Sequence, residues 1–454
     1  MNWKNLLTRH RLGVDGQPRL AGARTDFQRD FDRIVFSSAF RRMQDKTQVF
    51  PLSQNDYART RLTHSLEVAS VGRTLGTLVG EAVVQRHGLD QEDIVAADVG
   101  AIVAAACLGH DIGNPPFGHA GEDAIRGWFM ESPVAREATR TLNSAQRQDL
   151  LEFEGNAQGF RVLSRLQNPD NPGGLQLTCA TLGAFTKYPR ASRVEGPLPA
   201  STGFRKFGCM QDDVGLMREV ASQTGMKRAR GVADAWVRHP LAWLVEAADD
   251  ICYHIVDVED GYRLGHLQYP QVRDHLAEII GDDRRVWKRA EAMRGEHQRI
   301  EYLRARAINS AAEQVFACFM DQEPQLLAGG MQGGILDRIP AAGALQACKD
   351  TASAKLYFSG EVVEIAAAGF RVLGGLLEAF VGAVEDVARH ESGAAPHSRM
   401  LLHLVPDQFL GAHGWPAADA YARLLGVTDF VAGMTDSYAV SLYKKITGIS
   451  LPGR

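Results

Sequence analysis

His64, the adjacent pair His110 and Asp111, and Asp249 carry the side chains of this 454-residue chain best suited to gather around one divalent cation. His64 opens the segment HSLEV, and CLGHDIGNPPFGH puts His110 and Asp111 at the end of an apolar run, just before a Gly-Asn-Pro-Pro turn. At a fraying helix end the imidazole nitrogen and the carboxylate oxygen of such a pair can converge on one ion. Asp249 lies midway along PLAWLVEAADDICYHIVD, among Leu241, Leu244, Val245, Ala248, Ile251, Cys252, Ile255 and Val256. A carboxylate embedded in that face is expensive to bury unless a cation or a donor compensates it. Two imidazoles with two carboxylates suit a hydrolytic Mn²⁺, Mg²⁺, Fe²⁺ or Zn²⁺ site that keeps positions open for water and a substrate oxygen. A lone His-Asp dipeptide arises by composition and is ordinarily a satisfied core or surface pair, so the weight rests on the whole set.

Further polar residues flank this set. His119 and Glu122 are three apart and share a helix face, where a carboxylate behind an imidazole fixes its tautomer and raises its basicity. From spacing alone a plain hydrogen bond at a helix start is the readier explanation of the pair. Lys187 and Tyr188 in TKYP and Lys206 in RKFG lie on either side of a Gly/Pro-rich excursion. In isolation such groups are usually solvated. Asn114 occupies a turn position beside the metal pair, as a phosphate ligand or simply as a turn residue. Tyr253 and Asp257 follow Asp249 at four-residue steps and line one stripe, which by itself also describes a polar seam between helices. Asp250 has no assigned role.

The elements that must position these groups are helices. Apolar residues recur at three- and four-residue spacing, as in Leu66, Ala69, Leu75, Leu78, Val79, Ala82 and Val83, and strict alternation is nearly absent. Helices are expected at about 64–87, 91–110, 119–130, 154–167, 212–224, 240–265, 296–321, 353–390 and 416–446, with boundary errors of about 2 to 4 residues. Gln176–Tyr188, flanked by Gly/Pro-rich stretches, is the one region that reads as a small β-hairpin. GGMQGG at 329–334 lacks the Lys-Ser/Thr ending of a P-loop and reads as a connection. Trp128, Trp236 and Trp243 read as core.

Composition sets outer limits. With 45% hydrophobic and 23% charged residues the chain has ample material for a buried core. Fifty Lys+Arg against 54 Asp+Glu leave a formal charge of −4, so any polyanion site must be a local cluster. The six cysteines form no C-x-x-C and read as buried thiols in a reducing compartment. The start, MNWKNLLTRHRLG, lacks an apolar signal core, and the most apolar run, Val95 to Leu108, is interrupted by Asp98. A cytoplasmic protein with no membrane partner is expected.

The order H…HD…D resembles the HD-domain phosphohydrolases, and longer blocks narrow the likeness. RTDFQRDFDRIVFSSAFRRMQDKTQVF (24–50), RTRLTHSLEV, LGHDIGNPPFGHAGEDA, FEGNAQGFR, TKYP, KFG and EAADDICYHIVDVEDG are similar, in order, to the signature blocks of the deoxyguanosinetriphosphate triphosphohydrolase (dGTPase) family. They cover most of residues 24–265; the C-terminal third is similar only loosely. The resemblance implies an all-α HD-domain helical bundle with a small hairpin excursion. An N-terminal arm and substrate-pocket segment would span 1–60, the metal-dependent core 61–265 and a helical C-terminal region 266–454.

It further implies hydrolysis of deoxynucleoside triphosphates to a deoxynucleoside and inorganic triphosphate. One ion, Mn²⁺ or Mg²⁺ ahead of Fe²⁺, Co²⁺, Ni²⁺ or Zn²⁺, would sit on His64, His110, Asp111 and Asp249, and His119 with Glu122 would be the catalytic dyad. Arg61, Asn114, Lys187, Tyr188 and Lys206 would meet the phosphates, while Gln48 and Val49 would face Tyr253 and Asp257 across the sugar. A homo-oligomer, with a hexamer first, and weak single-stranded DNA binding at a subunit groove are the partner expectations. The rival readings are an HD phosphodiesterase or nucleotidase acting on another phosphate ester, and a catalytically silent nucleotide sensor.

Overall fold

The computed structural model describes residues 1–16, 23–48, 59–357 and 360–450. Val49 lies outside them. The fold is all-α: among the described residues strand pairing is limited to isolated bridges such as Thr47 with Thr60 and Arg190 with Ala235. The helices that matter here are α1 (Asp26–Val35), α2 (Arg61–His87), α3 (Ala96–Gly109), α4 (Gly118–Glu131), α5 (Gly155–Arg161), α6 (Cys179–Phe185), α7 (Pro240–Arg263), α8 (Glu296–Ala328), α9 (Gly360–His390), α10 (Ala420–Ala432) and α11 (Asp436–Ile446).

An antiparallel hairpin of α2 and α3 organises the centre. Thr60 caps α2 by accepting from Thr63 N–H, and Gly88, at φ +63°, ends it. Gly72, Gly76 and Gly80 face α3 so closely that a Cβ on Gly76 would sit 2.9 Å from the Val99 carbonyl, and one on Gly80 would sit 2.7 Å from that of Ala96. Because the two helices run in opposite directions, the first turn of α2 lies against the last turn of α3. That juxtaposition brings His64 to His110, with ring centroids 5.3 Å apart. Helix α7 packs across both and against α8, and α1 covers α3. Pro240 occupies the first turn of α7, and His239 caps it by accepting from Leu241 N–H at 3.1 Å.

Among the described residues two large apolar cores result, beside a small cluster of Phe204, Ala229, Val232 and Ala235. One gathers residues from the N-terminal arm through α2, α3, α7 and α8; the other joins α4 to α9, α10 and α11. Trp128, Trp236 and Trp243 are buried as expected. Helix α9 supplies most of Val362–Gly393, the one stretch among the described residues long and apolar enough to cross a membrane. Its Leu373, Leu376, Leu377 and Phe380 are nevertheless fully buried in the second core.

The expected hairpin at Gln176–Tyr188 is not formed. Thr178 instead caps α6, accepting from Thr181 N–H at 3.2 Å while its hydroxyl donates to Asp30 Oδ2 at 2.6 Å. Every residue of α6 is buried, so no polar face displays the helical period that would have distinguished it from a strand. The stretch expected at 416–446 is two helices, because Gly433 ends α10 and Thr435 caps α11.

Candidate active site

His64 comes from the first turn of α2, His110 from the C-terminal cap of α3 and Asp249 from the middle of α7. One ligand atom from each lies within 4.8 Å of the others. His64 Nε2 is 3.0 Å and His110 Nε2 3.4 Å from Asp249 Oδ1. His110 Nδ1 donates to the Cys107 carbonyl at 2.6 Å, which turns Nε2 toward the carboxylates. Burial alone would depress His110, but Asp111 and Asp249 outweigh it and hold the imidazole up at about 9. Burial would likewise raise Asp249, yet His110 and His64 keep it well below the usual carboxylate range. A nitrogen facing two ionised carboxylates demands a positive charge between them, either a proton or a metal ion. The donor set therefore fits a divalent cation.

Asp111 stands beside this trio with both oxygens engaged. Its Oδ2 accepts from Arg61 Nη1 at 2.7 Å and lies 3.6 Å from His110 Nε2, while Oδ1 accepts from Asn114 Nδ2 at 2.5 Å. The Arg61 guanidinium overcomes burial and keeps the Asp111 carboxyl below its ordinary range. Arg61 thus directs Asp111 from behind. Tight backbone packing sets the turn that follows: a Cβ on Gly113 would fall 2.0 Å from Gly159 N and 2.2 Å from the Gly155 carbonyl, so α5 clamps it.

His119 enters on the first turn of α4, with its side chain 82% exposed and Nδ1 2.8 Å from Glu122 Oε2. Glu122 is buried and its Oε1 accepts from Gly155 N–H at 2.6 Å. Burial would raise this carboxyl, but the His119 hydrogen bond outweighs it and keeps Glu122 ionised. With Nδ1 bound to the carboxylate, Nε2 is the nitrogen left for chemistry.

His110, Asp111, Asn114, His119, Lys187, Tyr188, Lys206 and Asp249 line one cavity of about 260 Å³. Two of its cations are held by carboxylates: Lys187 Nζ lies 3.2 Å from Glu246, and Lys206 Nζ 3.1 Å from Glu154. Against its burial, Glu246 keeps Lys187 protonated. Asp250, adjacent to the metal donors, is raised to about 7 by burial and by the charges of Asp249 and Glu246, against the opposing pull of Lys187. A larger depression of about 810 Å³ around Arg33, Phe36 and Asn168 carries none of these groups.

Gln48, Tyr253 and Asp257 are not among the residues that line this cavity. Tyr253 and Asp257 continue along α7 one and two turns beyond Asp249, roughly 6 and 12 Å along its axis. Gln48 follows Thr47, which bridges to Thr60 at the start of α2, and its Oε1 is buried with no hydrogen-bond partner among the described residues. Three polar residues that line the cavity, Asn156, Arg205 and Glu246, are given no role in the sequence reading. Each had a signal: Glu246 sits three residues before Asp249 on the same helix, Arg205 precedes Lys206, and Asn156 belongs to the FEGNAQ block.

Comparison with known proteins agrees with this arrangement. Residues 61–152 match the HD domain and residues 340–445 the phosphohydrolase-associated domain. A deoxyguanosinetriphosphate triphosphohydrolase-like protein of Synechocystis is 44% identical over 99% of this chain and all of its own length. One of Pseudomonas aeruginosa is 41% identical over the whole of both chains. The deoxyguanosinetriphosphate triphosphohydrolase of Cronobacter sakazakii is 30% identical over 93% of this chain and 94% of its own. With two curated relatives above 40% identity from end to end, and the HD donors gathered on α2, α3 and α7, the chain belongs to the deoxyguanosinetriphosphate triphosphohydrolase-like family of HD-domain hydrolases.

Proposed function

We propose that this enzyme hydrolyses deoxynucleoside triphosphates, dGTP-like substrates first, to a deoxynucleoside and inorganic triphosphate. The observation that carries the reading is a single cavity in which metal donors, the exposed face of His119 and the cations Lys187, Arg205 and Lys206 converge. A divalent ion, Mn²⁺ or Mg²⁺ by preference, bound by His64, His110 and Asp249 with Asp111 beside them, would polarise the α-phosphate and acidify water.

The remaining steps belong to the chain. Lys187 and Lys206 exchange Glu246 and Glu154 for phosphate oxygens, and Arg205 and Tyr188 complete the cradle. Asn114 holds Asp111 and offers its turn to a phosphate. His119 Nε2 protonates the departing 5′-oxygen, with Glu122 stabilising the imidazolium that donates it; activation of water is the alternative role. Further along α7, Tyr253 packs beside the deoxyribose, and Asp257 accepts from its 3′-hydroxyl opposite Gln48 and Val49. We place the enzyme in the cytoplasm as a homo-oligomer, a hexamer first, and regard weak single-stranded DNA binding as an accessory property.

The test is to incubate chelator-treated and Mn²⁺-loaded protein with dGTP, the other deoxynucleotides and GTP, identifying the phosphate product. Triphosphate from a deoxynucleotide, only with metal and at least tenfold faster than from GTP, is expected. Pyrophosphate or orthophosphate as the product, or equal use of GTP, overturns the reading.

A further inference from the structure

Resting on the hydrolase reading above, we propose that Asp436, with Lys46, is a positioning residue of the active site, through which the C-terminal helices set the placement of Asn114, His119 and Gln48. Asp436 is the first residue of α11 and is 1% exposed. Its contacts reach out of its own core to two segments that carry site residues. Oδ1 accepts from Phe117 N–H at 3.0 Å, while Oδ2 accepts from Thr47 N–H at 3.0 Å and from the Thr47 hydroxyl at 2.5 Å. Phe117 is two residues before His119 and Thr47 is next to Gln48.

The backbone at Phe117 needs such a hold. Phe117 has φ +63° and Gly118 φ +59°, and this left-handed pair swings the chain from the Pro-Pro turn into α4, where His119 begins the catalytic face. A bulky side chain pays a steric cost at positive φ and persists there only when its surroundings over-determine it. The carboxylate that takes the Phe117 N–H supplies that constraint.

Lys46 completes the clasp. Lys46 is 3% exposed, and its Nζ donates to the Asn114 carbonyl at 2.5 Å and to the Ala432 carbonyl at the end of α10 at 3.0 Å. Asn114 in turn holds Asp111, and the Lys46 carbonyl accepts from Arg61 N–H at 3.1 Å, at the start of the helix that bears His64. Lys46 and Thr47 are thus tied at once to both ends of the Asn114–Phe117 turn, to α2 and to the C-terminal helices. A shift of about 1 Å in such a support is enough to cost on the order of 10²-fold in rate.

The decisive variant is Asp436→Asn. Whichever way the amide is turned, its NH₂ faces a backbone N–H, so either the Phe117 or the Thr47 bond is lost. The comparison variant is Thr435→Ala, which removes the cap of the same helix without touching either segment. We expect Asp436→Asn to speed hydrogen exchange at residues 46–48 and 114–119 and to lower kcat on dGTP on the order of 10- to 100-fold, with metal content unchanged. Thr435→Ala, at an equal or larger loss of Tm, should stay within about twofold of the parent in both readouts. Thr47→Val, which deletes only the hydroxyl bond, should shift both in the same direction as Asp436→Asn and by less, and stands in for it should that variant not fold. Unchanged exchange and kcat in Asp436→Asn, or equal losses in Thr435→Ala, overturn the proposal. If the parent hydrolyses no deoxynucleotide the hydrolase reading fails, and the exchange comparison still decides the clasp.

Discussion

Replacing Glu122 by Gln isolates what the carboxylate does for His119. In the native site Oε1 accepts from Gly155 N–H and Oε2 faces His119 Nδ1 at 2.8 Å, so both oxygens act as acceptors. A Gln side chain presents one acceptor and one NH₂ donor. If its oxygen keeps Gly155, the NH₂ points at Nδ1, and the imidazole can no longer carry protons on both nitrogens without opposing donor to donor. If the amide turns over, Gly155 N–H is left unsatisfied in a buried site. Losing the charge-assisted hydrogen bond to His119 removes roughly 1–2 kcal/mol in the first orientation, and the orphaned Gly155 donor costs about 1–3 kcal/mol in the second. Because the His119 side chain is 82% exposed, solvent screening favours the lower part of the first range. About 1–3 kcal/mol corresponds to a fall of between about 5- and 160-fold in kcat. It should not exceed the loss in His119→Ala, for which a positioned acid or base predicts roughly 10²- to 10⁴-fold. The assay is triphosphate release from dGTP at saturating Mn²⁺, with metal content measured on the same samples. A Glu122→Gln enzyme within about threefold of the parent, or one that has lost its metal, refutes the orienting role.

Three other outcomes follow from the same geometry. Asp111→Ala leaves Arg61 unpaired beside the cation donors, and metal retention and turnover should both vanish with the helical circular dichroism unchanged; stoichiometric metal in that variant contradicts the site. His239 is held down at about 4 by burial, with Nδ1 accepting from Leu241 N–H, so its contribution is fully present above its ordinary 6.5 and is lost as pH falls through 4. That gap corresponds to about 3 kcal/mol, of which roughly 2.5 kcal/mol is lost by pH 4.5, and the unfolding free energy from urea titrations should fall by about that much less between pH 7.5 and 4.5 in His239→Asn than in the parent. Gly113→Ala should cost at least the upper part of the usual overpacking range of about 1–3 kcal/mol, read as a lowered Tm, because its Cβ meets backbone on two sides.

Much of the site was legible because its groups are local in the chain. His110-Asp111 and the His119-x-x-Glu122 spacing are short-range patterns, and an imidazole and a carboxylate three apart on a helix meet whatever the rest of the fold does. The apolar surroundings of Asp249 likewise marked an unusual charge, and α7 carries it as the helical period required, half-buried where it meets the cavity. The all-α class followed from that same period; it failed at α6, where burial on every side erases the pattern, it ran two helices together across Gly433, and it passed over Tyr269–Ile280, Arg284–Glu291 and Ala342–Ala352.

What tertiary structure decided is how distant segments meet. That Asp111 turns to Arg61, that Lys187 and Lys206 rest on Glu246 and Glu154, and that Gly113 lies against Gly159 depend on segments separated by tens of residues. The clearest case joins Thr47 to Asp436, 389 positions apart, with Phe117 on the other oxygen of the same carboxylate. Composition and periodicity specify which face of each helix seeks the interior. Which polar groups are then buried together, and must satisfy one another because water cannot, is settled only when the two cores close.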